Sequence, residues 1–390
     1  MDDGEGAPLR AAVAIPIKNE KSYLASCLDA LASQREVTGS RLPWGSFGIL
    51  LLLNNCDDGT ADVARARALD FPAPLRIIEC DLPPSLAHAG GARRLALDEA
   101  AKWLECAGGQ GLLLTTDADS RVAPCWIAAN LAACGRGADA VAGQIRLDPD
   151  DAARLPKHLQ RRGHLEATYG NQLTEIAAIL DPRPHNPWPH HATASGASLA
   201  VTLATYRRIG GLPQLALGED RGLITALEMH DARTRFAPEI EVITSGRLVG
   251  RAPGGVADTI RLRCEDKEAI CDEALEPVET AVRRCWWRGH LRRIHSLKRL
   301  SHESPSVPEL SIDCSAAQEL SSVTPFGEVW RRVERLSPML RRRALRPHEL
   351  PRLINRARVV LEKLRSLSTS GKEIEPEFLC SLLDSDVGIG

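Results

Sequence analysis

Between residues 11 and 143 the chain alternates short apolar runs with amphipathic stretches of helix length. The runs lie at 11–15, 48–53, 75–80, 111–116 and 138–143, and the stretches between them at 21–33, 60–69, 90–106 and 124–134. Apolar runs joined by helical connections of this length predict parallel strands buried on both faces. That pattern specifies an open, Rossmann-like α/β sheet, mostly parallel, with flanking helices. Thr60 is expected to cap the helix that follows it, and Pro124 to sit in a first helical turn. A long helical stretch at 152–179 leads into a Pro/His-rich loop at 181–191. A strand–helix unit at 195–209 then ends at Gly210-Gly211. From about Val256 the pattern is helical and Arg-rich, broken by a Ser/Pro/Glu linker at 302–308, which places a domain boundary near 256. The expected organisation is a sheet domain over 1–256 and a C-terminal helical extension over 257–390.

Length and composition narrow this picture. With 390 residues, 44% of them hydrophobic and 26% charged, the chain has the makeup of a globular protein with a large core. Its purely apolar runs reach five residues at most, far short of the roughly 18–20 a membrane-spanning helix needs. The acidic start, Met1-Asp2-Asp3-Gly4-Glu5, lacks the basic head of a secretory signal. The eleven cysteines are scattered without a Cys-x-x-Cys pair, which points to reduced thiols and a cytoplasmic location. A formal net charge of −2 hides a strong asymmetry. Residues 1–280 carry 29 Lys and Arg against 38 Asp and Glu, residues 281–365 carry 19 against 8, and residues 366–390 carry 1 against 5. Arg outnumbers Lys 41 to 8, a bias expected of a GC-rich bacterial genome and given no functional weight.

The candidate chemistry sits at the predicted strand ends. One apolar run closes in Thr115-Thr116-Asp117-Ala118-Asp119-Ser120, two acids one residue apart. Ligands of open α/β sheets bind beyond the carboxyl ends of the strands. A hard cation such as Mg²⁺ or Mn²⁺ is commonly held by one or two carboxylates while substrate phosphates complete its shell. The first run ends in Pro16-Ile17-Lys18-Asn19-Glu20 and the second in Asn54-Asn55-Cys56-Asp57-Asp58-Gly59-Thr60. Three polar strand ends should therefore open onto one crevice. Farther on come Ser195-Gly196-Ala197-Ser198, Gly210-Gly211 and Glu219-Asp220. By themselves, Glu219 and Asp220 read as the acidic start of a helix.

In this order the motifs resemble the family 2 glycosyltransferases of the GT-A fold, over about residues 10–250. The resemblance implies an inverting, metal-assisted transfer of a sugar from a nucleoside diphosphate donor, of UDP or GDP type, to an acceptor hydroxyl. Asp119, assisted by Asp117, would hold Mg²⁺ or Mn²⁺ on the diphosphate. Asp220 would act as general base, with Glu219 orienting the acceptor or Asp220 itself. Pro16, Glu20, Asn54 and Asp58 would border the nucleoside. Asn54 stands where many relatives carry Asp, which leaves uracil and guanine both open. Arg93 and Arg94 fall where relatives often present a cation to the donor, and Arg247 and Arg251 are further candidates to face the diphosphate.

Trp188 and His191, in the loop before Ser195 and Gly196, suit a carbohydrate acceptor; small-molecule and lipid-linked acceptors fit as well. The basic stretch from Arg283 through Trp286-Trp287 to Lys298-Arg299 reads first as a solvated helix face with the Trp pair docked on the catalytic domain; it also offers a face for anionic lipid and hence a peripheral membrane contact. No nucleic-acid-reading motif accompanies it. The Gln-x-x-Arg-Trp signature of processive polymerases does not follow Asp220, so one sugar per encounter is expected. Two other readings remain at this stage: a sugar-phosphate nucleotidyltransferase, and a non-catalytic nucleotide-sugar-binding protein on the same fold.

Overall fold

The computed structural model describes residues 7–247, 250, 254–297, 310–313, 315, 320 and 323–369. The chain forms two compact units. The first comprises Met1–Arg154, Thr193–Glu228 and Ala232–Arg261, and the second Leu155–Ala192, Met229–Asp231 and Leu262–Gly390.

The first unit is built on one sheet. Its strands are Ala11–Ile17 (β1), Phe47–Asn54 (β2), Leu75–Cys80 (β3), Leu112–Thr115 (β4), Ser120–Val122 (β5), Ala140–Leu147 (β6), Leu199–Thr202 (β7) and Thr234–Thr244 (β8), in the spatial order β3-β2-β1-β4-β7-β6-β8-β5. Side chains alternate between the two faces of a strand, and β1 and β2 show the consequence. Val13, Ile15, Ile49 and Leu51 enter one core, while Ala12, Ala14, Leu50 and Leu52 enter the other. Leu24–Ala32 (α1) helps to cover the first face, and Thr60–Ala68 (α2) packs beside α1. Ala89–Cys106 (α3) covers the second through Ala92, Ala96, Leu97 and Ala100. Because both faces are covered, all eight residues of β2 are buried, as an uninterrupted apolar run requires.

β1 to β4 are mutually parallel where they pair, as the pattern predicted. β7 then enters between β4 and β6, antiparallel to both. β6 and β8 pair in parallel, and β5 closes the edge antiparallel to β8. Trp126–Gly135 (α4), beginning two residues after Pro124, and Pro149–Arg154 (α5) complete this part. The helix from Thr60 starts with that residue instead of being capped by it. Gly59, at φ +84°, turns the chain, and Asp58 Oδ1 accepts the Thr60 N–H at 2.9 Å. Leu203–Arg208 (α7), Glu219–Met229 (α8) and Val256–Glu265 (α9) follow in sequence.

The expected 152–179 helix is divided. Pro156, which has no N–H to donate, stands as the N-cap of Lys157–Leu180 (α6). α6 belongs to the second unit, so the division of the chain differs from a single cut near 256. The reason is its apolar face: Tyr169, Leu173, Ile176 and Leu180 pack with Val278, Val282 and Leu291 of Val278–Ser296 (α10). Phe326–Leu336 (α11) and Leu350–Thr369 (α12) join the same core. Trp286 and Trp287 are 6% and 9% exposed within it, with ring centroids 4.8 Å apart, edge to face. The Trp pair is therefore part of this unit's core and not of a lipid-facing surface. Three cations of α10 are also held inside the unit. Arg284 binds Glu276 at 3.1 Å and also Glu334, and Arg288 and Arg292 meet the buried Asp181 at 2.5 and 2.8 Å. Together with Arg183, those two arginines overcome the burial of Asp181 and hold its carboxyl down at about 2. Lys298, Arg299, the 302–308 linker and Arg251 lie outside the described residues. Among the described residues no helix is long and apolar enough to cross a membrane.

Candidate active site

Strand direction assembles the site. β1, β2 and β4 run parallel, so Lys18–Glu20, 55–59 and 116–119 leave the sheet at one edge. β7 is antiparallel to β4 with Leu199 opposite Thr115, which brings its leading residues, 195–198, to that same edge. The end of β8 pairs with Ser120 through Thr244, and the Ser245 N–H reaches the Asp119 carbonyl at 3.3 Å. Four motifs far apart in the chain are thus neighbours.

Arg93 joins them. It lies on α3, is 4% exposed, and spends its guanidinium on four protein partners. Nε donates to Glu219 Oε1 at 3.1 Å, Nη1 to Thr115 Oγ1 at 2.8 Å and to the Gly196 carbonyl at 3.0 Å, and Nη2 to Asp117 Oδ1 at 2.6 Å. Burial works against its charge, but Asp117 and Glu219 outweigh that and hold the group above its ordinary value. Glycines give it room. A Cβ at Gly196 would stand 2.4 Å from the Arg93 Cζ, and one at Gly90 would stand 1.9 Å from the carbonyl oxygen of Leu215 in the loop ahead of α8.

Arg94 is also committed to the protein. Its Nη1 donates to the Leu212 carbonyl and its Nη2 to the Gly210 carbonyl at 3.5 Å. It thereby clasps the turn in which Gly210 and Gly211 take φ of +79° and +84°. Each of the two arginines meets carbonyls or carboxylates brought close only by folding.

Glu219 and Asp220 open α8, as their sequence alone suggested, and they divide in environment. Glu219 is 7% exposed and held by Arg93. Asp220 is only half-buried. Its Oδ2 accepts the Gly196 N–H at 3.3 Å and its Oδ1 the Arg221 N–H at 2.7 Å. Asp220 is thus the more open carboxylate of the pair, and Glu219 the buried and ion-paired one.

At the other end, Asp119 lies among like charges. Burial, then Asp117, and more weakly Glu20, raise its carboxyl from 3.8 to about 7 against the opposing pull of Arg247. The Arg247 guanidinium grips both oxygens of Glu20 at 2.6 Å, touches Asp119 Oδ2 at 3.1 Å and lies 5.2 Å from the centre of the Tyr23 ring. A cavity of about 280 Å³ opens beside Asp119, lined also by Tyr23, Arg121, Asp151 and Ser245.

The nucleoside-side candidates form a braced rim. The Glu20 N–H donates to Thr60 Oγ1 at 2.9 Å, and Asp58 Oδ2 accepts the Lys21 N–H at 3.2 Å. Burial pushes the Asp58 carboxyl up, but the Thr60 hydroxyl and nearby N–H groups bring it below the usual range. Asn54 is buried at the end of β2, and Pro16 pairs in register with Leu52. Asn19, at φ +56°, exchanges two hydrogen bonds with Asp57, at 2.7 and 2.9 Å.

Of the four acceptor-side candidates, Ser195 and Gly196 belong to the first unit, Trp188 and His191 to the second. Ser195 Oγ accepts the Ala197 N–H at 3.3 Å. Trp188 is 43% exposed with its ring edge-on to His190, while His191 is buried. Sequence reasoning missed Thr115 and Asp151. Asp151 anchors the Arg247 loop by accepting the Gly246 N–H at 2.8 Å, and no local motif marks either residue.

Comparison with known proteins adds the following. No curated protein matches the chain. Among solved structures, S. aureus TarS residues 1–349 in complex with UDP is 14% identical, covers 94% of this chain and 93% of its own, and superposes with a TM-score of 0.43. The mannosyltransferase PcManGT from Pyrobaculum calidifontis, in complex with GDP-Man and Mn²⁺, is 16% identical over 85% of this chain and 87% of its own, with a TM-score of 0.40. A family model matches 12–186, ending short of Glu219 and Asp220. The matched model is that of glycosyl transferase family 2, and the segment it covers carries the first three strand-end motifs.

Proposed function

We propose that the chain transfers a sugar from a nucleoside diphosphate-sugar, of UDP or GDP type, to an acceptor hydroxyl with inversion, one sugar per encounter. The observation that carries this reading is the Arg93 bridge, which ties an acid pair at the end of β4 to an acid pair at the start of α8. Transfer to an alcohol needs two services. Negative charge on the leaving diphosphate must be offset, and the attacking hydroxyl must lose its proton.

Asp220 supplies the second service, with its carboxylate held by the Gly196 N–H and left partly open. Glu219 and Arg93 keep α8 at a fixed distance from the donor acids. Asp117 and Asp119 suit a divalent ion. They offer oxygen ligands, and a cation would relieve the burial and the neighbouring carboxylates that together raise Asp119 to about 7. Among the described residues no group of three or more His, Cys, Asp or Glu is arranged to hold a metal by itself, so diphosphate oxygens would complete the shell. Bound there, Mg²⁺ or Mn²⁺ would offset the charge growing on the leaving group. The rim of Pro16, Glu20, Asn54 and Asp58 borders the nucleoside. Ser195 and Gly196 border the acceptor, which is a carbohydrate, a small molecule or a lipid-linked glycan.

A thermal-shift series with UDP- and GDP-sugars tests this reading. The expected result is stabilisation by one nucleotide class with Mn²⁺, lost in Asp119→Ala, since ligand binding stabilises the folded state by mass action. No shift with any nucleotide sugar contradicts it. A pH dependence follows from Asp119. A raised carboxyl contributes stability below its unfolded value of 3.8 that is lost as pH rises through about 7. Metal-free protein should therefore lose stability relative to Asp119→Asn between about pH 4 and 7. Mn²⁺ with nucleotide should restore it above pH 7, and the metal effect should weaken below, where the proton competes. Parallel profiles for the two proteins would remove the assignment.

A further inference from the structure

Arg247 stands apart from the other arginines of the site. Arg93 and Arg94 are pinned by backbone carbonyls as well as carboxylates. Among the described residues, the Arg247 guanidinium meets carboxylates of the proposed donor site, Glu20 by two bonds of 2.6 Å and Asp119 at 3.1 Å, beside the Tyr23 ring. Its backbone is fixed. The Gly246 N–H donates to Asp151 at 2.8 Å, the Ser245 N–H to the Asp119 carbonyl, and a Cβ at Gly246 would come within 2.8 Å of the Asp151 side chain. The side chain beyond that anchor has four rotatable bonds, and the cavity of about 280 Å³ lined by Tyr23, Asp119 and Ser245 opens beside the acid it meets.

Occupancy of Asp119 decides what this arrangement does. Glu20, Asp117, Asp119 and Glu219 face only two guanidiniums in this cluster, those of Arg93 and Arg247. A divalent cation arriving alone would meet a guanidinium already at Asp119 and would have to displace it with no new anion to receive it. A cation arriving with a diphosphate brings two compensating negative charges, to which a guanidinium can turn with fork geometry.

We infer that Arg247 is an exchangeable counter-cation: it occupies Asp119 and Glu20 in the donor-free protein, excludes a divalent ion that comes without nucleotide, and passes to the diphosphate when the two arrive together. This rests on the glycosyltransferase reading of the site. Arg247 is then a positioning residue for the donor, and it makes metal and nucleotide binding interdependent.

The test is Mn²⁺ binding to the full chain, followed by electron paramagnetic resonance with and without UDP or GDP. Wild type should bind Mn²⁺ weakly alone and at least about tenfold more tightly with the nucleotide, within the usual range of coupling between sites. In Arg247→Met, Mn²⁺ alone should bind about tenfold more tightly than in wild type, while the gain from nucleotide shrinks to a few-fold. Arg247→Lys keeps the charge without the fork and should fall between the two. A side chain with a merely structural role would weaken both measurements together, and that result overturns the inference, as does an unchanged affinity for Mn²⁺ alone. Asp119→Asn separates the two levels. If it abolishes nucleotide-dependent Mn²⁺ binding while Arg247→Met leaves Mn²⁺ affinity unchanged, the donor site stands and the exchange fails. If Asp119→Asn changes nothing, the donor site itself fails.

Discussion

Asp220→Asn is expected to lower kcat by about 10²–10⁴-fold, the usual contribution of a positioned general base, with nucleotide affinity retained. The amide keeps the shape of the carboxylate and its bond from the Gly196 N–H, but it cannot take the proton of an acceptor hydroxyl. Donor binding should survive because the acids at the diphosphate end, Asp117 and Asp119, are held by Arg93 and Arg247, not by Asp220. Steady-state kinetics with a saturating donor, alongside calorimetry of nucleotide binding, checks both halves. Full transfer by Asp220→Asn would remove the base assignment, and loss of nucleotide binding would place Asp220 at the donor instead.

Arg93→Met carries the largest expected effect on stability. The guanidinium pairs with both Glu219 and Asp117. Deleting it leaves the nearly fully buried Glu219 carboxylate unneutralised and the Gly196 carbonyl and Thr115 hydroxyl without its N–H donors. Breaking a buried pair by removing one partner costs roughly 3–5 kcal/mol. The lower end is expected here, because the Asp117 side chain is 33% exposed and solvent screens it. Urea unfolding should show a lower midpoint with unchanged slope. Arg93→Lys should recover only part of the loss, since an ammonium on a flexible stem cannot meet four partners in one plane. An unchanged midpoint in Arg93→Met would mean that the bridge does not hold the two acid pairs together.

What the sequence conveyed and what it withheld follow from the range of the interactions. β2 was readable because a strand covered on both faces must be apolar throughout, and Phe47–Asn54 is. Asp117 and Asp119 were readable because they directly follow the apolar strand Leu112–Thr115 and therefore leave the sheet at its ligand-binding edge. β8 escaped notice. Its sequence, TRFAPEIEVIT, mixes Arg, Glu and Pro with apolar residues because it is covered unevenly.

The arginines show the limit most clearly. Nothing in Ala89-Gly90-Gly91-Ala92-Arg93-Arg94 distinguishes a buried bridge from a donor-facing cation, and Arg93 finds its partners 22 to 126 residues away. Arg247 and Glu20 are 227 residues apart and meet because β1 and β8 end at one rim. A docked Trp286-Trp287 pair was the first reading of its stretch, but its partners were not legible, because flanking arginines dominate the sequence. Two of those arginines, Arg288 and Arg292, point at Asp181, and the rings face the core.

The most direct test of the central claim is the fate of a nucleotide sugar incubated with the protein and Mn²⁺, followed by ¹H and ³¹P NMR with water as the slow acceptor. The account predicts release of nucleoside diphosphate together with free sugar whose first-formed anomer is opposite to that of the donor, and no release by Asp220→Asn. Retention of the donor anomer, cleavage to nucleoside monophosphate and sugar phosphate, or no turnover of any UDP- or GDP-sugar would contradict it.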